Sequence, residues 1–161
     1  MAEFSFRAVG HPRPQGSKRH VGKGVLVESS DVKTWRSTIV DAAVEALAGR
    51  QPFTGAVIVT ARFSFCRPKS HYGTGRNQHR LRPSAPDYCT SRAIGDADKL
   101  GRAVLDALTA ARVYIDDSQV VRIIADKGWC DRTVREGATI VVTPLEAVDQ
   151  RAVPVQVDGA A

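Results

Sequence analysis

The chain has 161 residues and a formal net charge of +6, with 43% hydrophobic and 25% charged residues. This length fits one domain, and this hydrophobic fraction is enough for a core. No apolar run approaches the roughly 20 residues that span a bilayer, and the first residues lack the long apolar stretch of a secretory signal. We therefore expect a cytoplasmic protein whose three cysteines are free thiols.

The positive charge is concentrated in two segments. Residues 7–23 contain five basic residues and no acid, and residues 67–95 contain six basic residues against Asp87 alone. Each segment contributes +5, so the rest of the chain carries −4. Two basic segments on an acidic body are typical of a surface that binds a polyanion such as nucleic acid. The alternative is a solvated basic surface without a partner.

The N-terminal half contains strand patterns on both sides of a helix. In chain order, the patterns predict a strand at 3–9, a flexible basic loop at 10–24, a short strand at 25–30 and a longer strand at 56–66. Between the last two, apolar residues recur at helical spacing and include Trp35. Asp31 is the predicted N-cap of this helix, and Gly49 ends it.

The C-terminal half begins with a long connection that is rich in Pro, Gly and Arg. In chain order, we predict this connection at 67–95, a helix at 97–111, strands at 120–129 and 137–144 joined by a turn or hairpin, and a flexible tail at 147–161. A connection of that length is usually functional or disordered. The order of elements predicts an α/β or α+β domain over residues 1–146, with a small mixed β-sheet and two main helices.

Four aspartates flank the second predicted helix: Asp96, Asp98, Asp116 and Asp117. Asp96 and Asp98 alternate in an extended approach to the helix, and Asp98, Arg102 and Asp106 share one helical face. If the chain returns as an antiparallel neighbour of the helix, one of the second pair can approach the first pair. The alternative is that these acids are a helix cap, an ion pair with Arg102 and a turn.

Three clustered carboxylates would repel each other strongly, and a divalent cation would remove this repulsion. Mg²⁺ and Mn²⁺ prefer such hard oxygen ligands. A bound metal of this kind can activate water and stabilise charge on a phosphate. Carboxylates beside basic segments therefore predict a nuclease, with phosphate contacts from Lys18, Arg19, Lys23, Arg67, Lys69 and Arg76.

Other side chains have simpler interpretations. Cys66, His71, His79 and Cys89 could bind zinc, but their spacing lacks the tight knuckle of structural zinc sites. Free thiols and loop histidines are the alternative, and Cys130 is expected to be a small core residue. Trp35 is predicted to anchor the core, whereas Tyr72 and Tyr88 are candidates for stacking on bases. No phosphate-binding loop for a nucleotide cofactor is present.

The stretch DADKLGRAVLDALTAARVYIDDSQV resembles the signature of the RusA family of Holliday junction resolvases, found in bacteria and their phages. The matching residues are Asp96, Asp98, Leu100, Asp106, Ala107, Leu108, Tyr114, Asp116, Asp117, Gln119 and Val120. A basic loop from Pro12 to Arg19 also fits the family pattern. The resemblance implies a homodimer that cuts four-way DNA junctions symmetrically, with Mg²⁺ or Mn²⁺ held by Asp96, Asp98 and Asp117. The cytoplasm would then be that of a bacterium, or of the host of a phage.

The chain departs from the family pattern at two positions. Lys99 replaces the usual Asn, and Arg102 replaces a Lys to which the resemblance gives a function. Arg keeps the charge but does not readily release a proton, so we expect Arg102 to act by electrostatic stabilisation. Two alternatives remain open at this stage. One is a non-catalytic protein that binds branched DNA, and the other is a nuclease that also cuts flaps and forks.

Overall fold

The computed structural model describes residues 2–16, 19–20, 26–27, 29–130 and 133–145, with backbone alone at 19–20 and 26–27. Its strands are β1 (Phe4–Val9), β2 (Arg19–His20), β3 (Leu26–Val27), β4 (Val57–Cys66), β5 (Val120–Cys130) and β6 (Gly137–Pro144). Its helices are α1 (Ser30–Leu47) and α2 (Ala97–Ala110), and three short 3-10 turns are at Lys69–His71, Gly75–Asn77 and Asp117–Gln119. The predicted tail at 147–161 lies outside the described residues.

The main sheet is mixed and has four strands in the order β1-β6-β4-β5. β4 and β5 are parallel, and the other two pairings are antiparallel. The predicted α+β fold with two main helices is thus confirmed. The suggested hairpin between the last two strands is wrong, because β4 lies between β5 and β6.

One face of the sheet carries the core. Alternate residues of β4, from Val57 to Phe65, are at most 1% exposed. Both helices contribute to the same core cluster, α1 through residues such as Trp35 and Ile39, and α2 through a stripe that includes Leu100 and Leu108. Trp35 is therefore a core residue, as predicted. Because the apolar stripe of α2 packs inward, its opposite face is presented to solvent.

Two local predictions in the N-terminal half are wrong. α1 begins one residue before Asp31, with Ser29 as the extended N-cap residue, so Asp31 lies in the first turn and pairs with Arg13 at 3.3 Å. The segment predicted as a flexible loop at 10–24 contains β2, which pairs with β3. Pairing supplies the backbone hydrogen bonds that the composition alone did not indicate. In the ranges described, no helix is both long and apolar enough to cross a membrane.

Candidate active site and nucleic-acid interface

The start of α2 presents the first pair of aspartates to solvent. Asp96 is the N-cap residue, with extended backbone, and Asp98 lies in the first helical turn rather than in the extended approach that we predicted. The Asp96 carboxylate contacts the Lys99 ammonium at 2.8 Å. This hydrogen bond lowers the pKa of Asp96 and raises the pKa of Lys99. Lys99, the first departure from the family pattern, therefore forms an ion pair with one of the candidate metal ligands.

Asp98 and Arg102 are exposed on the outer face of α2. Neither makes an ion pair within the described part of the chain, so the alternative of an ion pair between them is not observed. Asp106, the next residue on that face, instead faces α1, where Arg36 approaches it at 3.7 Å and the Gln15 amide donates to it at 2.9 Å. The side chains of Asp98 and Arg102 are thus the uncommitted charges on this face.

The second pair of aspartates lies in a turn that is built by hydrogen bonds. The Asp116 side chain accepts from the Ser118 backbone N–H at 2.9 Å. Hydrogen bonds from Ser118 lower the pKa of Asp116. Asp116 and Gln119 together form a capping box. Both aspartates are exposed, and Asp117 is the one without a side-chain hydrogen bond or ion pair among the described residues.

The Gln119 side chain ties this turn to a distant part of the chain. Its carbonyl oxygen accepts from the N–H groups of Ile115 and Asp116. Its amide nitrogen donates to the carbonyls of Phe53 and Gly55. The turn that carries Asp117 is therefore held in place by hydrogen bonds between the uncharged Gln119 side chain and the backbone.

The two pairs of aspartates lie at opposite ends of α2, and β5 starts shortly after the second pair. α2 and β5 run antiparallel, because a Cβ added at Gly101 would meet Ile123 and Ala125, while the Lys127 ammonium donates to the Gly95 carbonyl at 2.6 Å. A helix of 14 residues is about 21 Å long. The predicted antiparallel return therefore exists, but it takes Asp117 to the far end of the helix.

A single protomer consequently does not bring the three predicted metal ligands together. No group of three or more His, Cys, Asp or Glu side chains that could hold a metal ion is found among the described residues. The same finding leaves the Cys and His residues of the long connection without a zinc cluster. The metal-binding role of Asp96, Asp98 and Asp117 stays a prediction.

The N-terminal segment passes beside the first turn of α2. Pro14 packs directly over Gly95, where a Cβ would collide with it, and Gly95 also has a left-handed φ of +85°. The Gln15 backbone N–H donates to the Lys99 carbonyl at 3.1 Å. Residues 14 and 15 of the basic segment therefore lie beside the start of α2, which carries Asp96 and Asp98. Lys18 and Lys23 lie outside the described residues, as does the side chain of Arg19.

The long connection at 67–95 is folded rather than structureless. Tyr72 and Leu81 form a β-bridge, and the Arg82 backbone and side chain donate to the carbonyls of His71 and Tyr72. These bonds fold the connection back on itself between residues about ten positions apart, a pairing that composition does not indicate. Lys69 and Arg76 are exposed on its surface, as expected for phosphate contacts.

Arg67, the third predicted phosphate ligand of this connection, has internal contacts. Its guanidinium lies 5.3 Å from the centre of the Trp129 ring and donates to the Pro86 carbonyl at 2.7 Å. Tyr72 is buried, so the prediction that it stacks on bases is wrong. Tyr88 is 81% exposed and stays a candidate for stacking.

Sequence reasoning missed a pair of cysteines at the ends of β4 and β5. Cys66 and Cys130 are register partners, and their sulfur atoms are 3.4 Å apart. Burial raises the pKa of Cys130 to about 11, and the Cys66 neighbour adds to this. Cys89 is buried in the core instead. Only the parallel pairing of the two strands identifies the partners, and no spacing in the sequence shows that pairing.

An α+β domain with exposed carboxylates at a helix start, beside a folded basic connection, fits an enzyme that acts on nucleic acid. The family described as Endodeoxyribonuclease RusA matches residues 6–142. The chain therefore belongs to the RusA family, which implies endodeoxyribonuclease activity on Holliday junctions. No curated protein matches the chain significantly. The cytoplasmic location stays a prediction.

Proposed function

We propose that this protein is a divalent-metal-dependent endodeoxyribonuclease that resolves Holliday junctions by paired incisions as a homodimer. The observation that carries the proposal is that the RusA family match spans residues that present Asp98 and Asp117 to solvent without an ion-pair partner among the described side chains. A buried or paired carboxylate is already committed, whereas these two are available as ligands. The family match implies the endodeoxyribonuclease activity, and the metal dependence and the homodimer are the proposed part.

The carboxylates have the chemistry that Mg²⁺ or Mn²⁺ requires. Asp96, Asp98 and Asp117 offer hard oxygen atoms, whereas the Asp116 side chain is engaged by Ser118. When bound, the metal would supply activated water and neutralise charge on the scissile phosphate. Lys99 must release Asp96 for that carboxylate to serve as a ligand, because the two groups are in contact at 2.8 Å.

A second copy of the chain would complete the set of ligands. β5 forms one edge of the sheet, and it exposes Val121 at 61% and Ile123 and Ile124 at 41% each. An exposed apolar edge strand is a template for pairing with another chain. Antiparallel pairing of β5 with its two-fold mate would place the start of each strand beside the end of the other. Asp117 of one copy would then approach Asp96 and Asp98 of the other.

The remaining charges position the substrate. Arg102 lies one helical turn after Asp98 on the exposed face, where its guanidinium can stabilise charge that develops on the phosphate. The Lys99 ammonium adds a second positive charge at the start of α2. Lys69 and Arg76 of the connection, with Lys18, Arg19 and Lys23, supply contacts to the DNA backbone.

The first test is the substitution Asp98→Asn. We expect cleavage of a synthetic four-way junction in Mg²⁺ to fall at least about 100-fold, because a metal ligand and its charge are lost. Junction binding should persist, because the basic residues remain. Asp41→Asn, an exposed acid on α1, is the matched control and should cleave normally. Cleavage by Asp98→Asn at the wild-type rate would remove this residue from the site.

The same assay separates the proposed activity from its alternatives. Wild-type protein is incubated in parallel with a junction, a replication fork, a flap and linear duplex. Symmetric cuts in the junction alone support a dedicated resolvase. Comparable cuts in forks and flaps indicate a broader nuclease, and shifted bands without nicks at any metal concentration indicate a binding protein.

A further inference from the structure

A cleft lies between the long connection and the ends of β4 and β5. Its volume is about 390 Å³, within the usual range for sites that bind small ligands. The larger side chains of its lining are Pro68, His71, Pro86, Tyr88, Ile94 and Trp129, and the smaller residues Cys66, Thr90, Ser91 and Ala93 complete it. This lining is mainly aromatic and apolar and contains no Asp, Glu, Lys or Arg, unlike the charged surface at the start of α2.

Three side chains with aromatic rings, His71, Tyr88 and Trp129, line the cleft. The His71 ring meets Trp129 edge to face, with centroids 5.2 Å apart and planes at 89°. Arg67 lies against the same indole, 5.3 Å from its centre. Tyr88, at the rim, is the most exposed large side chain among the described hydrophobic residues. Its phenol can therefore reorient over a ligand without disturbing the core.

Two polar atoms in this lining have no hydrogen-bond partner. They are Nε1 of Trp129 and Nδ1 of His71, and both are shielded from solvent in the described structure. Buried polar groups are nearly always paired, so each such atom calls for an explanation. The indole N–H is a donor, and the imidazole nitrogen is a donor or an acceptor according to its tautomer. A planar heterocycle with polar edge atoms could satisfy both after a small rotation of these rings.

The cleft is adjacent to the candidate catalytic residues. Ala93 and Ile94 belong to its wall, and Asp96 follows Ile94 by two residues. Two residues of extended chain span at most about 7 Å. A group bound in the cleft is thus close to a phosphate held at the start of α2.

We propose that this cleft binds one unstacked nucleobase from the branch point, next to the phosphate that is cut. The inference rests on the proposed function, because it assigns a second contact to the same DNA. Enzymes that act on distorted DNA commonly accept unstacked bases between aromatic side chains. An aromatic lining with an adjoining Arg favours a base over a phosphate, and the exposed basic residues Lys69 and Arg76 would hold the backbone outside.

The test compares intact junctions with junctions that carry an abasic nucleotide at each position flanking the branch point in turn. Binding is measured in EDTA, so that no strand is cut. We expect Tyr88→Ala to weaken binding of the intact junction about tenfold, as is typical for the loss of one base–aromatic stack. For wild-type protein, one abasic position should weaken binding by a similar factor. On that abasic junction Tyr88→Ala should have no further effect.

Two further variants complete the test, and circular dichroism first establishes that each is folded. Tyr88→Phe retains the ring and should bind normally. In a Trp35→Phe background, Trp129 is the single tryptophan, and its fluorescence should be quenched by the intact junction but not by the junction with the decisive abasic site. Equal weakening of intact and abasic junctions by Tyr88→Ala would overturn the proposal, and so would unchanged fluorescence.

The outcomes for the cleft and for the nuclease are distinct. Normal, metal-dependent cleavage without any abasic effect leaves the nuclease standing and removes the base site. A clear abasic effect in a protein that never cuts DNA removes the nuclease and supports the base site.

Discussion

The two ends of α2 carry the same residue type in two different settings. At its start, Asp98 is exposed and has no ion pair within the described chain, and Asp96 is held only by Lys99. Beyond its end, both acids are exposed, but the Asp116 side chain is part of a hydrogen-bonded turn, whereas Asp117 has no side-chain hydrogen bond or ion pair among the described residues. The comparison shows that, of two adjacent aspartates, one can stabilise a turn while the other is available to bind a ligand. Identical neighbours in a sequence need not share a role.

The sharpest test of this comparison is Asp117→Asn. We expect loss of at least about 100-fold in junction cleavage, since this acid is the proposed metal ligand of its pair. The free energy of unfolding in urea should stay unchanged, because the side chain has no structural contact among the described residues. If Asp117→Asn unfolds more easily but still cuts the junction, Asp117 is the structural residue of the pair and Asp116 is the candidate ligand.

Mixing two inactive variants tests whether the two ends meet across a dimer. Asp98→Asn and Asp117→Asn subunits are combined after co-refolding and assayed for nicking of the junction. A site shared between copies leaves one intact site in each mixed dimer, so activity should return to about a quarter of the wild-type level by random pairing. A site contained in one copy would give no recovery.

The turn itself is tested by Gln119→Ala. This change removes two hydrogen bonds to the carbonyls of Phe53 and Gly55 and the acceptor for two N–H groups. We expect a loss of about 2–3 kcal/mol in the free energy of unfolding, since each net hydrogen bond contributes about 1 kcal/mol. Urea denaturation followed by circular dichroism measures it. Ser118→Ala, which keeps the backbone donor of the same turn, is the neighbouring control and should lose clearly less.

The smallest effect is expected for Asp116→Ala. Loss of the cap should lower stability less than Gln119→Ala does, because the Gln119 contacts to Phe53 and Gly55 remain. Cleavage should persist, in contrast to Asp117→Asn. Asp116→Asn, which can still accept the Ser118 hydrogen bond, should be closer to wild type than the Ala variant in urea denaturation. Complete loss of cleavage in both variants would give Asp116 a direct role.

The boundaries of the regular elements were predictable because their periodicities are strong. The helix predicted at 97–111 is observed at Ala97–Ala110, and the strand predicted at 137–144 is observed at those residues. The exposure of Asp98 and Arg102 was predictable from the same helical period. The separation of Asp98 from Asp117 was not, because it depends on where β5 begins relative to α2. The fold of the long connection depends on specific pairings within it, such as that of Tyr72 with Leu81, which its Pro-, Gly- and Arg-rich composition does not indicate.

The position of β6 has a consequence for how the chain folds. It is the last described strand in the sequence, yet it lies between β1 and β4 in the sheet. Every pairing of the main sheet joins strands that are far apart in sequence, including the parallel pairing of β4 with β5 across the long connection and α2. Topologies dominated by such distant contacts fold slowly. The four-stranded sheet cannot close on the ribosome until Pro144 has been synthesised and has emerged. Until then, β1 lacks its sheet partner and β4 has one open edge.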